Sequence, residues 1–198
     1  WLQRAAHHGH AGAQALLGAV CEEGEGGAAC AIEAASWYQR SAAQEHPMGM
    51  YNLGRLLLQG SGGLAQSWSE ATDWIQRAAK GNYRPAQTLQ GRLLEGMGQP
   101  RKASAWFRKA ALQGDAESGL RLVQLLASGH GVARNAKAEA ALAEASSWYE
   151  KAVMRGHAEP LAPAAADSPI SSERHLTGDL LATRAQQALA RLRRGAEL

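Results

Sequence analysis

Ala71-Thr-Asp-Trp74-Ile-Gln-Arg-Ala78-Ala79 is the stretch that decides the fold, because near-copies of it recur along the chain. The others read Trp1-Leu-Gln-Arg-Ala-Ala, Trp37-Tyr-Gln-Arg-Ser-Ala, Trp106-Phe-Arg-Lys-Ala-Ala and Trp148-Tyr-Glu-Lys-Ala-Val. The five tryptophans follow one another at spacings of 36, 37, 32 and 42 residues, and alanine stands three positions before the last four, at Ala34, Ala71, Ala103 and Ala145. A period in the thirties with a variable spacer is the signature of a helical repeat array.

A second unit lies between the tryptophan segments. It reads Leu53-Gly54-Arg55-Leu56-Leu57-Leu58-Gln59-Gly60 in one copy and is echoed around Gly18 and Gly91, with Val123 where the fourth glycine is expected. Each copy closes on a Gly-x-Gly, at Gly24/Gly26, Gly60/Gly62, Gly96/Gly98 and Gly129/Gly131. Glycine just past an apolar run is a helix C-cap signal, since it takes the left-handed conformation at little cost. Leu53, Leu56 and Leu57 make one apolar stripe on the first helix of a unit, and Gly54 on that stripe implies a close helix approach. Ala71, Trp74, Ala78 and Ala79 make the stripe of the second, where small residues admit a neighbour and each Trp is expected to fill the gap between units. Ser67-x-x-Glu70 and Asn135 are N-cap signals for second helices, and Asp115 is one for a first helix.

Composition agrees with helices. Alanine, the best helix former, fills about a fifth of the 198 positions, while Val, Ile and Thr are sparse. No apolar run approaches the roughly 18 residues of a membrane span. The net charge is only +3, so the chain is not broadly basic; a local basic end is formed by Arg184, Arg191, Arg193 and Arg194.

Alanine-x-x-Trp-aromatic-x-basic-Ala-Ala, preceded by Leu-Gly-x-x-x-x-x-Gly, resembles the Sel-one-like repeat family, relatives of the tetratricopeptide arrays. The resemblance covers residues 1–158, with departures at the shortened third turn and the long spacer from Val132 to Ser147. It implies an all-α fold, a right-handed α-solenoid of antiparallel helix pairs, and a role as an adaptor or scaffold in multi-subunit assemblies. By the tetratricopeptide analogy the inner surface is lined by first helices. Their off-stripe residues, Tyr51, Arg55, Gln59, Arg92, Glu95 and Gln124, are the candidate partner-binding set, rich in the Tyr and Arg of interface hot spots.

Beyond residue 158 the pattern fails. Pro160, Pro163 and Pro169 mark residues 159–171 as an extended linker. Leu176, Leu180, Leu181, Ala185, Ala188, Leu189 and Leu192 then restore a helical stripe over 172–198, read as a terminal capping helix. At the other end, Trp1 holds a second-helix position with no first helix before it. Further repeats upstream, or a partner protein, are expected to cover that face.

Two functional classes follow: a non-catalytic scaffold that holds partner proteins, or an accessory ribonucleoprotein subunit touching RNA through the arginines of 184–194. Catalysis finds no support, because no Gly-x-Ser-x-Gly, His-Glu-x-x-His or phosphate-loop motif occurs. His7, His8 and His10 read as turn residues rather than metal ligands, and no cofactor is implied. Glu22, Glu23 and Glu25 read as a solvated rim. Cys21 and Cys30 flank the first unit's turn and could meet across it as a disulfide, while Cys21 also aligns with Leu57, Leu94 and Leu126 as a small core residue.

Overall fold

A computed structural model describes residues 1–24 and 27–127, together with the single position Ser147. The described residues hold eight helices and no strand: α1 (Leu2–His7), α2 (Ala11–Glu23), α3 (Gly27–Ala43), α4 (Pro47–Gln59), α5 (Trp68–Lys80), α6 (Arg84–Gly96), α7 (Pro100–Leu112) and α8 (Ala116–Ala127). The fold is an all-α helical repeat of the solenoid class, in which first helices (α2, α4, α6, α8) alternate with second helices (α3, α5, α7). The linker expected at 159–171 and the terminal helix expected at 172–198 lie outside the described residues, as does Asn135. Two compact units divide the chain, Trp1–Gln90 and Gly91–Leu198, and each is described by itself.

In the first unit α2 packs along α3, and α4 lies against both α3 and α5. The glycine on the first-helix stripe is what lets the pairs close. A Cβ added to Gly18 would stand 2.7 Å from Tyr38 Cε1, and one added to Gly54 would stand 2.7 Å from Ile75 Cγ1 and 3.0 Å from the Ala71 carbonyl oxygen. Within the second unit the same contact recurs, with Gly91 2.6 Å from Phe107 Cε1 by the same construction. Phe107 then packs with Ala103, Leu122, Val123, Leu125 and Leu126, so Val123, standing where a glycine was expected, is part of this core.

This corrects the expected role of tryptophan. The residues following Trp37, Trp74 and Trp106, namely Tyr38, Ile75 and Phe107, are wholly buried against the glycine, whereas Trp74 and Trp106 are only half-buried. Among the described tryptophans Trp37 alone reaches the core, with Ala6 and Leu17. The ring faces instead carry the basic residue one helical turn on: Arg40 lies 4.6 Å over Trp37, Arg77 4.6 Å over Trp74 and Lys109 4.4 Å over Trp106. The repeated basic position is explained by that stacking.

The turn from second to first helix is built identically four times. The amide of His10 donates to the Ala5 carbonyl, His46 to Ser41, Tyr83 to Ala78 and Asp115 to Ala110, the six-to-one bond of a Schellman turn. The residue before each donor is left-handed: Gly9, Glu45, Asn82 and Gly114. Glycine C-capping of first helices holds in part. Gly60 is left-handed and receives the chain after α4, but Gly24 is extended, and Gly96 ends inside α6 with Gly98 left-handed instead. Asp115 caps α8 as expected, its Oδ2 accepting the Ser118 amide at 2.9 Å, whereas the Ser67 side chain makes no cap bond.

Candidate functional site

Tyr51 and Arg55 sit one turn apart on α4, and both are half-buried, with Gln59 exposed at the helix end. Arg55 is not a free groove residue. Its Nη2 donates to both oxygens of the Glu22 carboxylate on α2, and Tyr38 Oη on α3 donates to Glu22 Oε2 at 2.9 Å. The sequence places Glu22 in a solvated rim. It is instead the centre of a three-helix junction, because Tyr38 reaches it past Gly18 while Arg55 reaches it from α4. Burial pushes the Glu22 carboxyl up, but hydrogen bonds from Arg55 and Tyr38 and the Arg55 charge outweigh it and hold the group below its ordinary value. Burial, then the Glu22 hydrogen bond and charge, drive the Tyr38 hydroxyl well above its usual range.

Beside this junction Tyr51 meets Tyr83 edge to face, with ring centroids 5.5 Å apart and planes at 62°. Burial and the Tyr51 hydroxyl raise Tyr83, which stands in the Schellman turn just ahead of α6. The first unit thus gathers Tyr38, Glu22, Arg55, Tyr51 and Tyr83 into one polar and aromatic cluster. Sequence reading found Tyr51 and Arg55 and missed the other three. The signals were present in part: Tyr38 follows a repeat Trp, and Glu22 sits four residues after a stripe glycine.

In the second unit the expected residues are held more loosely. Arg92 lies 3.9 Å from Glu117 and Glu95 lies 3.5 Å from Arg121, pairing α6 with α8 through half-exposed groups, and Gln124 is exposed. Ion pairs of that kind contribute little in water.

The remaining candidates are placed as follows. Cys21 and Cys30 are free thiols, each half-buried, and Cys21 packs against Ala6, Leu17 and Trp37. His7 sets its ring edge-on to Trp37 at 5.1 Å, and His10 is the N-cap of α2. Among the described residues no group of His, Cys, Asp and Glu could hold a metal ion, and no helix is long and apolar enough to cross a membrane. Arg184, Arg191, Arg193 and Arg194 lie outside the described residues.

A family model described as Sel1 repeat matches residues 1–10, 11–46, 47–83, 90–115 and 124–157. Among solved structures, the chain is similar to a Sel1 repeat protein from Oxalobacter formigenes, at 25% identity and a TM-score of 0.59, covering 78% of this chain and 69% of that one. It is also similar in fold to c5321, a protective antigen present in uropathogenic Escherichia coli strains and displaying an SLR fold. There the identity is 23% and the TM-score 0.63, over 98% of this chain and 50% of that one, so the chain spans half the length of that protein. No curated protein matches it.

Proposed function

The chain belongs to the Sel1 repeat family, whose arrays serve protein–protein interaction, and we propose that this one is a non-catalytic scaffold subunit of a multi-protein assembly. The observation that carries the reading is the Tyr51–Tyr83 pair beside Arg55. Two tyrosines locked edge to face and an arginine held by a carboxylate are already ordered, so a partner that docks there would lose little additional side-chain entropy. Tyr and Arg are also the residue types that dominate interface energetics.

The test is recovery of partners from the native source with the wild-type chain and with Tyr51→Ala, each with its helical content checked. A partner bound by the wild type and weakened at least about tenfold by Tyr51→Ala supports the reading, since a hot-spot aromatic is worth upward of 1.4 kcal/mol. Partners bound equally by both would place the interface elsewhere.

A further inference from the structure

We infer that Cys21 and Cys30 are a disulfide-forming pair that closes the α2–α3 hairpin by exchange with a small-molecule disulfide.

The inference rests first on register. At about 1.5 Å per residue, Cys21 lies about 3 Å before the end of α2 and Cys30 about 4.5 Å after the start of α3, so the two stand at nearly one level of an antiparallel pair. The same two helices approach closely one turn further from the hairpin end, where a Cβ on Gly18 would lie 3.2 Å from the Ala34 carbonyl oxygen. Cys21 is three residues after Gly18 and Cys30 four before Ala34, steps that keep both on the facing sides.

The other repeats supply the second, independent observation. Counting from the stripe glycine and from the Trp, Cys21 corresponds to Leu57 and Leu94, and Cys30 to Ser67 and Gln99. In the second repeat, whose hairpin has a similar length between the two positions, they touch directly. The Ser67 amide donates to the Leu57 carbonyl at 3.1 Å. Backbones that exchange such a bond lie within the Cα separation a disulfide spans. The first repeat has cysteine at both positions.

The thiols also feel one another. Burial, the Glu33 carboxylate and Cys30 all raise the Cys21 thiol. In one order of attack the Cys30 thiolate attacks one sulfur of oxidised glutathione and releases one glutathione thiolate. The Cys21 thiolate then attacks the Cys30 sulfur of that mixed disulfide and releases the second. The protein loses two thiol protons and two electrons, and one glutathione disulfide becomes two glutathione thiols.

The test is to equilibrate the purified chain in reduced and oxidised glutathione mixtures, block residual thiols with a maleimide, and weigh and map the protein. The expected product is a monomer lighter by two hydrogens, with no blocked cysteine and one cross-linked peptide joining Cys21 to Cys30. Its unfolding temperature should lie roughly 5–10 °C above that of the reduced form. Cys30→Ser, which installs the residue type already present at Ser67, should fold, form no cross-link and lose the redox-dependent temperature shift. Glutathione adducts on separate cysteines, cross-links between chains, or a shift that persists in Cys30→Ser would overturn the inference.

Discussion

At the residue scale, the packing turns on pairs of a glycine and a large neighbour. Ile75 is wholly buried against Gly54, while Trp74 keeps one face for Arg77. Ile75→Ala should therefore cost about 3–4 kcal/mol, and Trp74→Ala only about 2 kcal/mol despite the larger side chain. Urea unfolding followed by circular dichroism checks the order, and a reversed order would place the core on the tryptophan side. Gly54→Ala gains helix propensity but drives a Cβ into Ile75 and the Ala71 carbonyl, with a net loss of about 1–2 kcal/mol. Arg55 is the residue whose environment differs most from its sequence reading. A solvated groove position would tolerate alanine, but removing Arg55 leaves the Glu22 carboxylate half-buried without its cation, at about 1–3 kcal/mol.

At the scale of elements, four turns of one hydrogen-bond pattern demand a left-handed residue, and the chain meets the demand twice with glycine, once with asparagine and once with Glu45. A left-handed β-carbon residue costs about 1–2 kcal/mol. The Glu45–Arg77 ion pair at 2.7 Å is largely exposed and offsets little of that. Glu45→Gly should accordingly stabilise the chain by about 0.5–1 kcal/mol, read as a higher denaturation midpoint at unchanged slope; a lower midpoint would show that the ion pair outweighs the strain. The helices themselves were legible from the chain alone, because alanine content, the Leu53–Leu57 stripe and Asp115 are local signals. The state of the closing glycines was less so. Gly24 and Gly60 occupy the same place in the pattern, yet only Gly60 turns left-handed.

At the scale of the whole molecule, a repeat array is held by neighbours, so stability sums over units and their junctions. The Glu22 junction adds a pH-dependent part. Its carboxyl is held below the ordinary value of 4.5, so the contribution is fully present above that pH and is lost as pH falls through the lower folded value. Unfolding free energy should drop on acidification below about pH 4.5, and by less in Glu22→Gln. Parallel curves for the two proteins would show that the junction contributes nothing.

The sequence by itself determined that this chain is an array of helix pairs, because a tryptophan, an alanine three before it and a stripe glycine recur with a helical period and each signal is read within one turn. It also singled out Tyr51 and Arg55. Only the tertiary structure decided what those residues do. Glu22, Tyr38 and Arg55 lie 16 to 33 residues apart and on three helices, so no local pattern joins them. Likewise the choice between Trp74 and Ile75 as core depends on which face a neighbouring glycine opens. Periodicity fixes a stripe about a third of a helix wide, and adjacent residues on it are separated only by the helix that arrives from elsewhere in the chain.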